Sequence, residues 1–370
     1  MQHKKIGWSV IITLLVQFCW AQEIIPFDTT HWKIDENATY VLEKYEGKNA
    51  IYMKGGRITA KTIEFENGTI EYDVYLKNEQ AFPGVLFRAV ENDAEEFYIR
   101  AHLAGKPDAN QVIPVINGIT PWQFYFGPKY SFPYEYQYDR WTHVKIAVNG
   151  GRAQVYLDHS EKPHHSWNLF HPVRKGKIML QAGNRSGMHL ADIKISNQTP
   201  ELINFSPGKR KGIDGLIQSW QVSDKFEKSL LEDHQNLSNV IDQRTWRKTI
   251  SVEEGVAANI SRAVVLRDGQ PGETAFARIK IQSDRDQVKF FQFGYSDEVL
   301  AILNGTPIYK GNNTYRSRDY RYLGTIGLFD GIYLNLKKGT NTLLMAVSEN
   351  FGGWLITGKF EDEDGLTVTP

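Results

Sequence analysis

The chain has 370 residues, 43 Lys and Arg against 43 Asp and Glu, a formal net charge of +0, and a single cysteine, Cys19. Neutral charge supplies no field for nucleic acid, whose binding rests on phosphate neutralisation, so no nucleic-acid partner is expected. One cysteine excludes internal disulfide staples and cysteine-ligated zinc or iron–sulfur sites.

Residues 1–21 read as an export signal. Lys4 and Lys5 supply the charged start, Ile6 to Trp20 are largely apolar, and Cys19-Trp20-Ala21 ends in a small residue suited to cleavage before Gln22. The apolar run is shorter than the roughly 20 residues a spanning helix needs, so no membrane span is expected. The mature chain is expected in the periplasm or outside the cell. Bulky Phe18 argues against lipidation of Cys19. Cleavage removes the only cysteine, and with it any thiolate nucleophile, leaving 41 basic against 43 acidic side chains. About 349 residues remain, ample for two domains.

Strand-like segments with Gly, Asn, Asp and Pro punctuation recur from Trp32 to Ile195. Three of them lie between Phe65 and Leu103. In the first, Ile70, Tyr72, Val74 and Leu76 alternate with Glu71, Asp73 and Tyr75; in the second, Val85, Phe87 and Ala89 alternate with Leu86, Arg88 and Val90; in the third, Phe97, Ile99, Ala101 and Leu103 alternate with Tyr98, Arg100 and His102. Successive side chains on a strand point to opposite faces. One sheet built from these segments therefore gathers Asp73, Arg88, Tyr98, Arg100 and His102 on one side, a carboxylate, guanidinium, phenol and imidazole set suited to a sugar.

The next segment, PWQFYFGPKYSFPYEYQYDRW, crowds aromatic rings among prolines. Flat rings stack on the apolar faces of sugars, and burying about 100 Å² of such surface is worth roughly 2.5 kcal/mol. Trp122 and Tyr125 flank Gln123 at a turn and are the expected exposed platforms. His164, His165 and His171 follow, but adjacent histidines diverge in a strand and no carboxylate stands at ligand spacing, so no metal site is expected. The half closes with WTHVKIAV (Val144, Ile146 and Val148 inward), a hairpin turn at Asn149-Gly150, RAQVYLD, GKIMLQAG and MHLADIKIS.

Residues 199–212 lack periodicity, carry Pro200, Pro207 and Gly208 with the basic run Lys209-Arg210-Lys211, and read as a linker. Beyond it, Lys225 to Asp233 is expected to form a short helix, and strands resume with turns at Asn304-Gly305 and Lys338-Gly339-Thr340-Asn341. Tyr309 to Tyr322 combines four tyrosines with Lys310, Arg316, Arg318 and Arg321, a loop suited to gripping an anionic, sulfated or uronic, polysaccharide. The bland alternative is a solvated loop whose tyrosines cover the sandwich.

The strand endings resemble those of concanavalin A-like, laminin-G-like jelly rolls, with W-x-x-V-x-I-x-V-x-G, V-Y-L-D, G-x-I-x-L-Q and a final x-D-I-x-I strand. Gly84-Val85-Leu86-Phe87-Arg88 and Gly176 to Gln181 also resemble the 3-keto-disaccharide hydrolase domain group, although that group follows the second motif with His-Gly where this chain has Ala182-Gly183-Asn184. The pairing of L-N-G with L-K-K-G-T-N-T-L resembles galactose-binding-like β-sandwiches that sit beside glycosidase catalytic modules. The resemblances imply an all-β chain of two tandem sandwiches, 23–198 and 213–362, from a polysaccharide-degrading bacterium. Calcium is common in both fold families, and no dense Asp/Asn loop marks a site for it; no cofactor is identified, and structural calcium stays open.

Glu71-Tyr72-Asp73 resembles the E-x-D-x-x-E strand of laminarinase-like hydrolases, but the acid/base position falls at Leu76. The Arg, Tyr and His set resembles that of polysaccharide lyases in residue type, with His102, Tyr98 and Arg100 as the catalytic candidates, while the R-x-E-L, Q-I-H and Y-F-K-A-G strands of alginate-lyase-type enzymes are missing. The leading expectation is an exported carbohydrate-binding protein serving polysaccharide degradation or use. The alternatives are a lyase or glycosidase on a uronic-acid or sulfated glycan, and a scaffold or adhesin for a protein partner.

Overall fold

The computed structural model describes residues 24–183, 185–233, 235–314 and 319–370. The expected export signal, Asn184, and Tyr315, Arg316 and Arg318 of the basic loop lie outside the described residues. The first half contributes β1 (Trp32–Ile34), β2 (Thr39–Tyr45), β3 (Lys48–Lys54), β4 (Ile58–Phe65), β5 (Gly68–Leu76), β6 (Gly84–Val90), β7 (Asp93–Ile99), β8 (Asn110–Val115), β9 (Ser131–Phe132), β10 (Arg140–Asn149), β11 (Arg152–Leu157), β12 (His165–Asn168), β13 (Gly176–Gln181) and β14 (Met188–Ser196). They pair as two seven-stranded sheets, β1-β4-β13-β6-β7-β8-β9 and β12-β11-β10-β5-β14-β3-β2.

Alternation decides the interior. Ile70, Tyr72, Val74 and Leu76 of β5 and Val144, Ile146 and Val148 of β10 share one core with Val85 and Phe87 of β6 and Phe97 and Ile99 of β7. Each such side chain contributes about 1.5–3 kcal/mol on leaving water. The Asn149-Gly150 turn joins β10 to β11, with Gly150 at φ +58°, a value glycine adopts without penalty.

β5 belongs to the second sheet, whereas β6 and β7 belong to the first. The single face expected for Asp73, Arg88, Tyr98, Arg100 and His102 therefore does not form, because residues 77–83 carry the chain from one sheet across to the other. Arg88 departs further. A bulge between Phe87 and Val90 puts Arg88 at φ +51° and turns its side chain to the hairpin ends of the second sheet. There its Nε donates to the Glu66 carbonyl at 2.7 Å and its Nη2 to the Gly150 carbonyl at 2.8 Å, and it is fully buried.

The second half supplies β15 (Ser219–Ser223), β16 (Trp246–Glu253), β17 (Ala257–Asn259), β18 (Thr274–Ser283), β19 (Gln287–Ser296), β20 (Glu298–Leu303), β21 (Thr306–Asn312), β22 (Asp330–Leu336), β23 (Gly339–Ser348), β24 (Leu355–Phe360) and β25 (Leu366–Thr369). Their sheet runs β21-β20-β23-β18-β15-β16-β17-β24-β19-β22, with β25 on β18. It folds over into two layers: Ile279, Met345 and Trp220 from one share a core with Phe291, Phe293 and Ile356 from the other. The all-β class expected from the sequence is the class observed. In place of a helix over Lys225–Asp233 there is a 3₁₀ turn at Lys228–Leu231, followed by α1 (Leu237–Asp242). Together they cover the outer apolar face at Phe276, Leu300, Ile302 and Leu344.

The halves dock through polar groups with assigned partners. The Gln123 backbone carbonyl accepts from Ile326 N and its N–H donates to Gly352 O, while its side chain accepts from Ser296 Oγ (2.5 Å) and donates to Phe351 O (3.2 Å). Asp108 accepts from Leu323 N at 3.0 Å on one side and from Ser131 Oγ at 3.0 Å and Arg100 Nη1 at 2.7 Å on the other. Residues 199–212 lie along this docked body: Gln154 clasps the Ile203 backbone at 2.7 and 3.0 Å, and Arg210 donates to Phe124 O at 2.5 Å.

Arg100 and Asp108 are both about 1% exposed, so Asp108→Ala leaves a guanidinium buried without its counter-charge. The expected cost is about 3–5 kcal/mol, read as a lowered midpoint in urea unfolding; Asp28→Ala, at an exposed pair, is expected to change it little.

Candidate functional site

Tyr98 at the end of β7, Arg100 just beyond it and Gln111 on β8 bond one another. Arg100 Nη2 donates to the Tyr98 hydroxyl at 2.7 Å and also to Gln111 Oε1, Tyr98 donates to the same Gln111 oxygen, and Gln111 Nε2 donates to the carbonyls of Trp122 (3.1 Å) and Tyr125. Burial pushes the Tyr98 hydroxyl well above the ordinary phenol range, so it stays protonated. His102 sits in a 3₁₀ turn, edge-on to Phe82 at 5.7 Å, and burial lowers its pKa. Tyr125 is not an exposed platform: it is 3% exposed and its hydroxyl donates to Glu253 Oε2 at 3.4 Å. Trp122 is half-buried against Phe351, ring centroids 5.3 Å apart. Of the residues nominated for sugar contact, Tyr98, Arg100, Trp122 and Tyr125 thus lie at or behind the seam between the two halves, while Arg88 is buried against the Glu66 and Gly150 carbonyls, His102 packs on Phe82, and Asp73 lies on the other sheet.

Asp73 faces outward from the second sheet, and there strand register builds a different constellation. β10 and β14 flank β5, placing Trp141 and His189 beside Tyr75, His143 beside Asp73, and Lys145 beside Glu71. The imidazole of His143 lies between two carboxylates, Nδ1 2.6 Å from Asp73 Oδ1 and Nε2 3.4 Å from Glu71 Oε2, and stacks on His159 at 3.9 Å. Lys48 ion-pairs with Asp73 and, at 2.6 Å, with Asp192, which a bulge in β14 (φ +51°) brings within reach.

Burial disfavours the charged imidazole of His143, but hydrogen bonds and charge from Asp73 and Glu71 outweigh it and raise its pKa to about 9. Burial likewise raises Asp73, and His143 and Lys48 overcome it, so its carboxyl titrates below the usual range; the His143 hydrogen bond is the main cause lowering Glu71. Both acids are therefore ionised. A glycosidase needs one carboxyl that keeps its proton to protonate the leaving oxygen, and this pair provides none.

Aromatic rings border the charges. Tyr45 stacks on His189 at 3.6 Å, meets Tyr75 edge-on at 4.9 Å, and Trp141 meets Tyr75 at 5.4 Å, with Lys48 over the indole. Tyr45, Tyr52 and Trp141 keep part of their surface in solvent. The connector bonds β11 through Gln154; on the β3-β14-β5-β10 portion Lys48, Glu71, Asp192 and Trp141 keep part of their surface in solvent, while Asp73, Tyr75 and His189 are buried among them. Sequence reasoning missed Lys48, Trp141, His143 and His189. The alternation that sends Val144, Ile146 and Val148 inward already sends Trp141, His143 and Lys145 outward; the missing piece was that β10 pairs with β5.

Among the described residues, no group of three or more His, Cys, Asp or Glu is arranged to hold a metal, and no helix is long and apolar enough to cross a membrane. No family model and no curated protein matches the chain. Similar solved structures include a carbohydrate binding module from Bacillus subtilis, at 14% identity over 45% of this chain and 96% of that one with a TM-score of 0.30. A β-glucanase from Bacillus licheniformis is 11% identical over 49% and 97%, with a TM-score of 0.35. A β-1,3-glucanase from Mycobacterium marinum is 10% identical over 46% and 93%, with a TM-score of 0.32. At such identities and TM-scores these likenesses assign neither an activity nor a ligand to this chain.

A histidine raised from 6.5 to about 9 contributes stability that is complete below pH 6.5 and lost as pH rises through 9. The lowered Asp73 and Glu71 contribute above the carboxylate range and lose it on acidification. The stability difference between wild type and His143→Gln is therefore expected to peak between the carboxylate range and pH 6.5 and to vanish above 9, as measured by urea unfolding across pH. A difference that does not change with pH contradicts the assignment.

Proposed function

We propose that the protein binds a polysaccharide or oligosaccharide across the outer face of the second sheet and does not cleave it. The observation that carries this reading is the pair of part-exposed rings Trp141 and Tyr45, backed by buried Tyr75 and His189, beside the charged set His143, Asp73, Glu71, Lys48 and Asp192. Rings offer flat apolar surface to the C–H faces of a sugar, and a fixed rail of acceptors and donors meets its hydroxyls. The ionised pair Asp73 and Glu71 favours holding over hydrolysis, and the burial of Tyr98 and Arg100 argues against their use as lyase catalysts, since a polymer cannot reach them. The export expected from residues 1–21 fits a polymeric ligand met outside the cytoplasm.

Affinity electrophoresis of the mature protein against a panel of neutral and uronic polysaccharides tests the reading. Retardation by at least one polymer is expected, with no rise in ultraviolet absorbance from unsaturated ends and no new reducing ends. Trp141→Ala and Tyr45→Ala are each expected to weaken binding about 10-fold, the equivalent of 1.4 kcal/mol lost from one stacked ring. Unchanged retardation in both variants places the glycan elsewhere, and indifference to every glycan favours a protein-binding scaffold.

A further inference from the structure

Two basic segments that the sequence keeps over a hundred residues apart meet at the seam between the halves. A cavity of about 300 Å³ there is lined by Lys129, Lys209, Arg210, Lys211 and Arg321, with one carboxylate, Asp319, in its wall. Two of the five cations are answered locally: Lys129 pairs with Glu254, and Arg321 with Asp319 at 2.6 Å. Among the described residues, Lys209, Arg210 and Lys211 have no carboxylate at ion-pair distance.

Arg210 is held in place rather than waving in solvent. Its guanidinium lies 4.5 Å from the Phe126 ring centroid and 5.1 Å from that of Phe124, and one Nη donates to the Phe124 carbonyl at 2.5 Å. That bond uses one of five N–H donors. Burial disfavours its charge more than nearby Tyr130 and the Glu254 carboxylate support it, and an anion entering the cavity would add to that support. The Phe126 and Tyr322 rings, tilted 5.5 Å apart, give the same cavity an aromatic wall. A planar guanidinium fixed beside two exposed ammonium groups suits an oxyanion, and aromatic walls suit the ring that bears it. The volume is at the lower end of small-ligand sites, with room for about one sugar residue and its charged substituent.

We propose that this seam cavity is a second glycan site, selective for an anionic saccharide that carries a sulfate ester or a carboxylate. The proposal rests on the reading of the protein as a glycan binder and adds the ligand's charge class. Arg210 grips the oxyanion, Lys209 and Lys211 close over it, and Phe126 and Tyr322 hold the ring. The polymer then bridges both halves.

The test compares the mature wild type with Lys209→Ala/Lys211→Ala and with Lys337→Ala/Lys338→Ala, which removes two lysines from a distant turn as a control for net charge. Gel retardation is measured with dextran, dextran sulfate and alginate, and with whichever neutral glycan the panel shows to bind. Binding of a sulfated or uronate polymer is expected to fall at least 10-fold in Lys209→Ala/Lys211→Ala but not in the control, with neutral-glycan binding unchanged. Retention of dextran sulfate alone assigns a sulfate ester, and of alginate alone a carboxylate. Equal loss in the control overturns the cavity in favour of bulk charge. Neutral binding that depends on Trp141, with no preference for either anionic polymer, overturns the cavity and leaves the sheet site standing. No binding to any polymer overturns both.

Discussion

The buried ion pair between Arg100 and Asp108 is the constraint on which the arrangement of the two halves depends. Removing a guanidinium and a carboxylate from water is costly unless every remaining donor and acceptor finds a partner. Here the partners come from four places: Tyr98 on β7, Gln111 on β8, Ser131 on β9, and the backbone of Leu323 in the second half. Gln111 passes the constraint on to the Trp122 and Tyr125 carbonyls, and so to the turn whose Gln123 bonds Ser296 and Phe351. Glycines complete the fit, since a Cβ on Gly353 would stand 2.9 Å from Pro121 and one on Gly352 2.8 Å from Gln123 and Trp122. The halves meet in one register because few others satisfy these groups together.

Much of the architecture was legible in the chain. Alternation identified the inward residues of β5, β6, β7 and β10, and Asn-Gly pairs marked two hairpins, because period-2 burial and positive φ leave direct signatures in residue type. Sheet membership was not legible. Alternation says which residues share a strand face, but not which sheet the strand joins or whether that face is later covered. Asp73 and Tyr98 read alike as polar residues on outward faces and both end up buried, yet Asp73 sits among part-exposed Lys48, His143 and Asp192 while Tyr98 is enclosed by Gln111 and Arg100. Bulges hide still more: a single extra residue at Arg88 and at Asp192 re-aims a side chain, and no residue type announces it.

The two polar constellations of the first half contrast in what their charges do. At the seam, both terminal nitrogens of Arg100 are spent on fixed acceptors, which locks the geometry. On the second sheet, Lys48, His143, Glu71 and Asp192 compensate one another around buried Asp73 while keeping part of their own surface in solvent. Residue type alone pointed to the first set as the sugar site. Exposure, which depends on everything packed above the strand, favours the second.

Strands β13 and β14, the last of the first half to be made, are inserted in the middle of their sheets: β13 lies between β4 and β6, and β14 between β5 and β3. Until residues 176–196 exist, β3, β4, β5 and β6 all present bare edges. A ribosome-bound or truncated chain ending before them is therefore not a smaller sandwich but a set of separated ribbons with four unpaired hydrogen-bonding rims, the state most prone to pair with a neighbour. Productive folding of the first half has to wait for its final strands, which makes its closure a late, long-range event.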